Sequence, residues 1–474
     1  MNTQFFVFAA ITVAIAVFTY LQCRKAPRSG DDNAEYFLAG RTLSWYFIAG
    51  SITLTNLSTD QLVGMNGNQM LLLAWWELAA VVGLLILAFV FVPIYYRYNC
   101  ATTTELLEKR YGKQSLRSLV SILFLLGNVF LYLPIMLYTG SLFLKSMFGL
   151  EASTLTIACA LAALGSSYAI FGGLRAVAVS DTLSGIGLLS LSLVVVWLSL
   201  DAINFDFSGI PADRLTMIGG ADSPIPWTTL FTGMLFIQIF YWSTNQTITQ
   251  RAMAAPSVRE AQKGVLAAAA IRLLIVPAII VIPGICAYKL YGDIGDATFG
   301  TLVGDLLPGW LSGTFAAMMV AAVLTSFNSV LNSSSTLYVI DLHEPYVNKG
   351  ANVHRLNIWV SIAFVACALL LVPIYDGAES IINLVQQLNG LLSMPILSVF
   401  IVGLVFRGVA AGAAGIALVS GVALYAVFSF VWTPIHYIHL MAITLFFCIA
   451  IALIANRLVF EGQAKLSFAK ALPA

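Results

Sequence analysis

Long hydrophobic runs alternate with short polar breaks along the entire chain. At about 20 apolar residues per bilayer span, thirteen runs are readable, near 4–22, 44–71, 73–96, 116–144, 153–171, 177–200, 227–250, 264–288, 309–340, 356–374, 380–406, 409–431 and 437–457. The pattern predicts an all-α polytopic membrane protein. The second run is anomalous. Residues 51–69 read Ser-Ile-Thr-Leu-Thr-Asn-Leu-Ser-Thr-Asp-Gln-Leu-Val-Gly-Met-Asn-Gly-Asn-Gln, with hydroxyls, amides, a carboxylate and two glycines inside one span. A lipid-facing helix does not accept that load, because each unpaired polar group in hydrocarbon costs several kcal/mol. The stretch is therefore read as an interrupted helix, buried among others and lining a wet cavity. Its counterpart is 238–250 in the seventh run, Gln-Ile-Phe-Tyr-Trp-Ser-Thr-Asn-Gln-Thr-Ile-Thr-Gln.

Composition agrees. Of 474 residues, 60% are hydrophobic and 9% charged, against about 25% charged in soluble domains. A net charge of +1 gives no sign of nucleic acid as a partner. The six cysteines, Cys23, Cys100, Cys159, Cys286, Cys367 and Cys448, lack metal-ligand spacing and read as small hydrophobes. The amino-terminal run has no basic lead and no small-residue cleavage site, so a retained helix is expected rather than a signal peptide. Nineteen of the 23 Lys and Arg fall after odd-numbered runs, including Arg97, Lys109 and Arg117 after the third and Arg251 and Arg259 after the seventh. By the positive-inside rule the amino terminus lies outside and the carboxyl terminus in the cytoplasm of a cell-membrane protein. The longest connection is roughly 25 residues and no phosphate-binding Gly-x-x-x-x-Gly-Lys-[Ser/Thr] loop is present. Transport energy must then come from an ion or from the solute gradient, and no obligate protein partner is evident.

Polar residues within the runs mark the chemistry. Glu77 follows Trp75-Trp76, and Arg272 stands alone in an apolar eighth run; an ionisable group in a span is a functional hypothesis by default, and these two are candidates to neutralise one another. Trp75 and Trp76 read as interfacial aromatics. Asp181, early in the sixth run, reads equally as an interfacial cap. The ninth run holds Thr325-Ser326-Phe-Asn328-Ser329 and Asn332-Ser-Ser-Ser-Thr, which also suits hydroxyls that satisfy their own backbone in close helix packing. A hydroxyl-rich solute needs donors and acceptors at several angles and one flat apolar face; Gln61, Glu77, Gln238, Arg272 and Gln386 supply the first and Tyr241 the second. A hard monovalent cation needs about five or six oxygens, which carbonyls freed at a helix break and nearby hydroxyls provide.

Four motifs in order, Asn56-Leu-Ser-Thr-Asp-Gln61-Leu-Val-Gly-Met-Asn-Gly, Gly172-Gly-Leu-Arg-Ala-Val-Ala-Val-Ser-Asp181, Tyr241-Trp-Ser-Thr-Asn-Gln-Thr-Ile-Thr-Gln250-Arg251 and Asn332-Ser-Ser-Ser-Thr, resemble the sodium:solute symporter family, most closely its bacterial sodium/galactose and sodium/glucose members. The resemblance spans about residues 35–405. It implies a LeuT-type fold of two inverted five-helix repeats, 44–200 and 227–406, with an accessory helix in 1–43, an outer loop at 201–226 and two accessory helices in 407–474. It implies a sodium site on the carbonyls of Leu54, Leu57 and Ala322 and the hydroxyls of Thr325 and Ser326. It implies a sugar site on Gln61, Glu77, Gln238, Arg272 and Gln386, with Tyr241 as inner aromatic gate and Trp242 beside it. Gln238, Arg272 and Ala80 depart from the galactose pattern of a shorter amide, Lys and Ser, which puts galactose itself in question. A second sodium, present in some members, would use Asp181, Thr325, Asn328 and Ser329.

The expected function is sodium-coupled symport of a monosaccharide or sugar derivative by alternating access. The alternatives are a sodium symporter for a sialic or uronic acid or an amino acid, with Arg272 pairing the carboxylate, and a sensor or ion-leak channel without transport. An intramembrane enzyme lacks support, since His343, His354, His436 and His439 sit at loops or run ends. Asp60 has no assigned role.

Overall fold

The computed structural model describes residues 2–24, 38–57, 59–348, 353–376 and 380–467. Lys25, Arg28, Lys349 and Lys470 of the charge pattern and Ser58 of the second run lie outside the described residues. The described chain is almost wholly helical. It begins with α1 (Asn2–Arg24) and two half-helices, α2 (Trp45–Asn56) and α3 (Thr59–Gly67). Then come α4 (Leu71–Arg97), a connecting α5 (Thr103–Tyr111), α6 (Gln114–Phe148) and α7 (Thr154–Ala202). The seventh run is again two halves, α8 (Gly233–Ser243) and α9 (Gln246–Met253). After α10 (Val258–Tyr291) and a connecting α11 (Thr298–Leu306) follow α12 (Gly309–Tyr346) and α13 (Val353–Tyr375). The last helices are α14 (Ile381–Val405), α15 (Ala411–Val431) and α16 (Tyr437–Leu458). Two short antiparallel strands, β1 (Phe406–Arg407) and β2 (Lys465–Leu466), lay the chain beyond α16 beside the end of α14.

Among the described residues nine helices are long and apolar enough to cross a membrane, and they coincide with nine of the thirteen runs. The first and fifth runs fall within α1 and the first part of α7. The second and seventh miss the length because they are broken. One boundary differs from expectation. The separation read between residues 171 and 177 is not a helix break, since α7 is helical over 49 residues. No proline interrupts its hydrogen-bond ladder there. Its length of about 74 Å is more than twice a bilayer's hydrocarbon core.

The breaks have local causes. α2 ends where Leu57 turns to φ −79°, ψ 68°, its N–H bonded back to the Thr53 carbonyl. α8 ends as the Thr244 and Asn245 N–H groups both return to the Phe240 carbonyl. The Asn245 side-chain oxygen then accepts from the Thr247 N–H at 2.9 Å and caps α9. At the centre stands α12, whose most apolar window is 89% buried, against 33% for α13 and α15. Its Ala, Ser and Thr content lets neighbouring backbones approach.

Polar groups that the bilayer would penalise are paired within the bundle. Pro283 lacks an N–H for the Ile279 carbonyl one turn back, and Asn66 at the end of α3 donates to that carbonyl at 3.2 Å. The Asn66 oxygen accepts from the Gly284 N–H at 2.8 Å. Asp341, fully buried near the end of α12, accepts from Thr102, Thr104, Ser121 and Arg117. Arg117 bridges onward to Glu108 at 2.6 Å, so these cations are structural rather than solvated.

At the opposite end, between α10 and α11, Asp296 accepts from the Ile381 N–H at 3.1 Å and packs on Gly67. Burial pushes its carboxyl from 3.8 up to about 6. An acid whose folded pKa is raised costs stability when ionised, so burial of this carboxyl lowers the stability of the fold as pH rises from about 4 through about 6, although the Ile381 N–H itself favours the charged form. The Asp296→Asn variant is expected to lose less thermal stability between pH 5 and pH 7.5 than the parent, read by unfolding in detergent. Asp341→Ala, which leaves buried Arg117 with only Glu108, is expected to lower stability by about 3 kcal/mol in the same assay.

Candidate functional site

Glu77 in the first half of α4 and Arg272 in the middle of α10 form an ion pair, with 2% and 0% of their side chains exposed. Glu77 uses its second oxygen to accept from the Gln61 amide on α3. A further guanidinium nitrogen of Arg272 donates to the Thr53 carbonyl at 3.1 Å. The guanidinium carbon lies 4.5 Å from the centre of the Trp242 ring, a cation–π contact. Trp242 Nε1 donates to Gln238 at 2.9 Å, and Gln238 donates to the Trp76 carbonyl at 2.8 Å. α2, α3, α4, α8 and α10 are thus joined by one network. Gly83 permits the approach, for a Cβ there would meet the Gln238 carbonyl and the Trp242 ring.

Above this network opens a cavity of about 550 Å³, its mouth included. Six of the seven expected solute residues line it: Gln61, Glu77, Gln238, Tyr241, Trp242 and Gln386. Arg272 does not. It lies one layer behind, because Glu77, the Thr53 carbonyl and the Trp242 face already surround it. Trp76, read as an interfacial aromatic, is 5% exposed and lines the cavity instead. Trp75 donates its indole N–H to the Met217 carbonyl, in the connection between α7 and α8, at 2.8 Å. The cavity also takes in Asn56, Asp60, Tyr132 and Asn389, with Ile382 and Val385 as apolar wall. Asp60 lies one residue before Gln61 at the break, and its signal in the sequence was a carboxylate inside the overloaded second run.

Of the five expected ion ligands, Leu54 and Ser326 meet across the α2–α3 break and α12. Ser326 donates to the Leu54 carbonyl at 3.2 Å, and Thr325 to the Ala322 carbonyl at 3.1 Å. Leu57 is fully buried at the break itself. These groups are carbonyl and hydroxyl oxygens without fixed charge, the donor type a monovalent hard cation takes. Next to them Asp181 is fully buried in α7, not capping at an interface. It accepts from Ser51 at 2.6 Å, and Thr55 and Thr325 also approach it. Arg251, counted above among solvated cations, is fully buried and donates to the same Ser51 hydroxyl at 2.8 Å. Ser329 meets Thr55 at 3.5 Å; the Asn328 side-chain oxygen has no hydrogen-bond partner among the described residues.

Two broken helices, a polar cavity between them, and hydroxyl and carbonyl oxygens that meet where the α2–α3 break touches α12 define a secondary transporter of the LeuT type. The chain belongs to the sodium:solute symporter family, whose pattern matches residues 36–421. It is 35% identical to an uncharacterized symporter, YidK, of Escherichia coli (strain K12), over 95% of this chain and 82% of that one. It is 28% identical to a sodium/glucose cotransporter of Vibrio parahaemolyticus, over 94% and 88%. The solved substrate-bound, outward-open state of a Na+-coupled sialic acid symporter superposes with a TM-score of 0.84 over 98% of this chain and 99% of that one, at 17% identity. Mhp1, a nucleobase-cation-symport-1 family transporter, superposes at 0.58 over 89% and 94%, at 16% identity. At such identities these two establish the fold. The protein is a multi-pass membrane transporter and not an enzyme, and sodium is its coupling ion.

Ser326→Ala deletes one ion-facing hydroxyl and is expected to raise the sodium concentration giving half-maximal thermal stabilisation about tenfold. The readout is a melting series in sodium against choline.

Proposed function

We propose that this symporter moves a monosaccharide or an uncharged sugar derivative into the cell together with sodium. The observation that supports the reading best is the character of the cavity: amides of Gln61, Gln238 and Gln386 at different angles, the flat ring of Tyr241, and a carboxylate already matched by an arginine behind it. Such a wall offers donors and acceptors to hydroxyls, and its two carboxylates, Glu77 held by Arg272 and Asp60 at the break, disfavour an anionic solute. The name of the Vibrio parahaemolyticus relative, which covers most of both chains, points the same way.

In this reading sodium binds Leu54, Leu57, Ala322, Thr325 and Ser326 and holds the α2–α3 break against α12. Solute then binds Gln61, Glu77, Gln238, Trp242 and Gln386 over Tyr241, the outer side closes, and loss of sodium to the cytoplasm releases the inner side. Coupling is reciprocal: sodium raises solute affinity by the factor by which solute raises sodium affinity. We assign one sodium per cycle, because Arg251 already places a cation on the Ser51 hydroxyl that bonds Asp181. That leaves Asp181, Asn328 and Ser329 as a second ion position only if Arg251 withdraws. The repeats are assigned to 44–200 and 227–406, with the amino terminus outside, the carboxyl terminus cytoplasmic and the protein in the cell membrane. A carboxylate-bearing solute has less support, since Arg272 stands outside the cavity wall and is held by Glu77.

The test is uptake by proteoliposomes of labelled hexoses, uronic acids, sialic acid and amino acids, in sodium and in choline. A neutral sugar taken up in sodium alone is the expected outcome. Preference for a uronic or sialic acid would replace the substrate assignment. Gln61→Ala is expected to weaken binding of that sugar about tenfold, by loss of one hydrogen bond and an unpaired Glu77 oxygen, with a smaller effect on sodium affinity.

A further inference from the structure

The short hairpin beyond α16 sets two cations against each other. β1 and β2 are two residues long, and in their antiparallel register Arg407 stands directly opposite Lys465. Residues paired in this way project from one face with Cβ atoms about 5 Å apart, and like charges there destabilise the pair. Both are exposed, and among the described residues neither makes an ion pair. A third cation joins them. Arg110, at the end of α5, donates to the Gly403 and Phe406 carbonyls where α14 runs into β1. Burial first, and the Arg407 charge with it, push the Arg110 guanidinium below its ordinary value. Arg457 stands at the same corner, because its neighbour Asn456 accepts from the Ala410 N–H at 2.8 Å and donates to the Gly408 carbonyl at 2.9 Å.

The backbone holds these cations together. The Ser467 N–H closes the hairpin on the Val405 carbonyl at 2.8 Å. Gly408 turns at φ 73°, where a Cβ would meet the Gln463 carbonyl, and a Cβ on Gly412 at the start of α15 would meet the Phe460 ring. Glu461, the one carboxylate between Val459 and Ser467, is exposed and bridges to none of the cations. Beside them Leu458, Val459 and Leu466 are 74%, 64% and 73% exposed. A surface that is basic on one side and apolar on the other suits a bilayer interface, where Lys and Arg meet headgroups and apolar side chains enter the acyl boundary.

We propose that this corner, formed by Arg110, Arg407, Arg457 and Lys465 with Leu458 and Leu466 beside them, binds the phosphate headgroup of an anionic bilayer lipid. The phosphate relieves the opposed pair, and the acyl chains cover the apolar flank. A soluble anion does only the first. Because Arg110 grips the end of α14, the bound lipid braces from the membrane surface the helix that carries Gln386 into the solute cavity.

The test is a thermal-unfolding series of the purified protein in dodecyl maltoside. Palmitoyl-oleoyl phosphatidylglycerol or the matching phosphatidylcholine is added to the micelle. Phosphatidylglycerol is expected to raise the midpoint by about 4 °C over phosphatidylcholine. In Arg407→Gln/Lys465→Gln the phosphatidylglycerol fraction giving half of that rise is expected to increase about thirtyfold, since each cation near an anionic surface contributes about fivefold. The single Lys465→Gln is expected to show about fivefold, and it carries the test if the double variant misfolds. Arg259→Gln/Lys263→Gln removes the same charge at the start of α10 and is expected to leave the response within about twofold. Equal losses in the two double variants would mean a response to net charge and no site at the hairpin. An equal midpoint in the two lipids overturns the proposal as well. So does an equal rise with sn-glycerol 3-phosphate, which would make the corner a site for a soluble phosphate.

Discussion

A carboxylate and a guanidinium inside a bilayer must find each other or remain uncharged, and Glu77 and Arg272 find each other. The rest of the central structure depends on that pair. Arg272 also holds the α2 backbone at Thr53 and lies under the Trp242 ring, while Glu77 fixes Gln61. Removing either charge strands the other in a low-dielectric interior, a cost of several kcal/mol. The pair therefore serves less as a binding group than as the frame that sets the cavity's width.

In the proposed function two ligands share one helix break. The Thr53 carbonyl accepts from Arg272, part of the network under the solute cavity, and the next carbonyl, Leu54, accepts from Ser326 at the ion position. Neighbouring peptide groups thus respond to two sites. A shift at one alters the hydrogen bonding of the other without any long relay of side chains, which gives reciprocal coupling a short physical route.

Much of this was legible in the sequence because the bilayer makes polar residues conspicuous. The overloaded second and seventh runs are the two broken helices, and Glu77 and Arg272 stood out as charges needing partners. What escaped reading depended on distance in sequence. Arg251 and Arg117 follow apolar runs and so count as solvated cations, yet Ser51 and Asp341, some 200 residues away from each, bury them. Arg272 has the residue type for a solute contact, but side-chain type does not say whether a residue forms the wall or stands behind it. Tyr132 gave no signal, since a tyrosine inside an apolar run acquires a role only from its partner in another helix, here Asn389. The continuous α7 was hidden for a different reason: hydropathy reports where a helix leaves the apolar layer, not where its hydrogen bonds stop.

Asn66 gives the fold a mechanical property. A helix with an internal proline ordinarily has a compliant joint, free to bend because one rung of its ladder is missing. Here α3 supplies that rung from outside by donating to the Ile279 carbonyl, and it takes the Gly284 N–H in return. The joint in α10 is thereby clamped to the second half of a broken helix. Tilting α3 must drag the hinge of α10 with it, so the two act as one lever whose stiffness resides in a single amide.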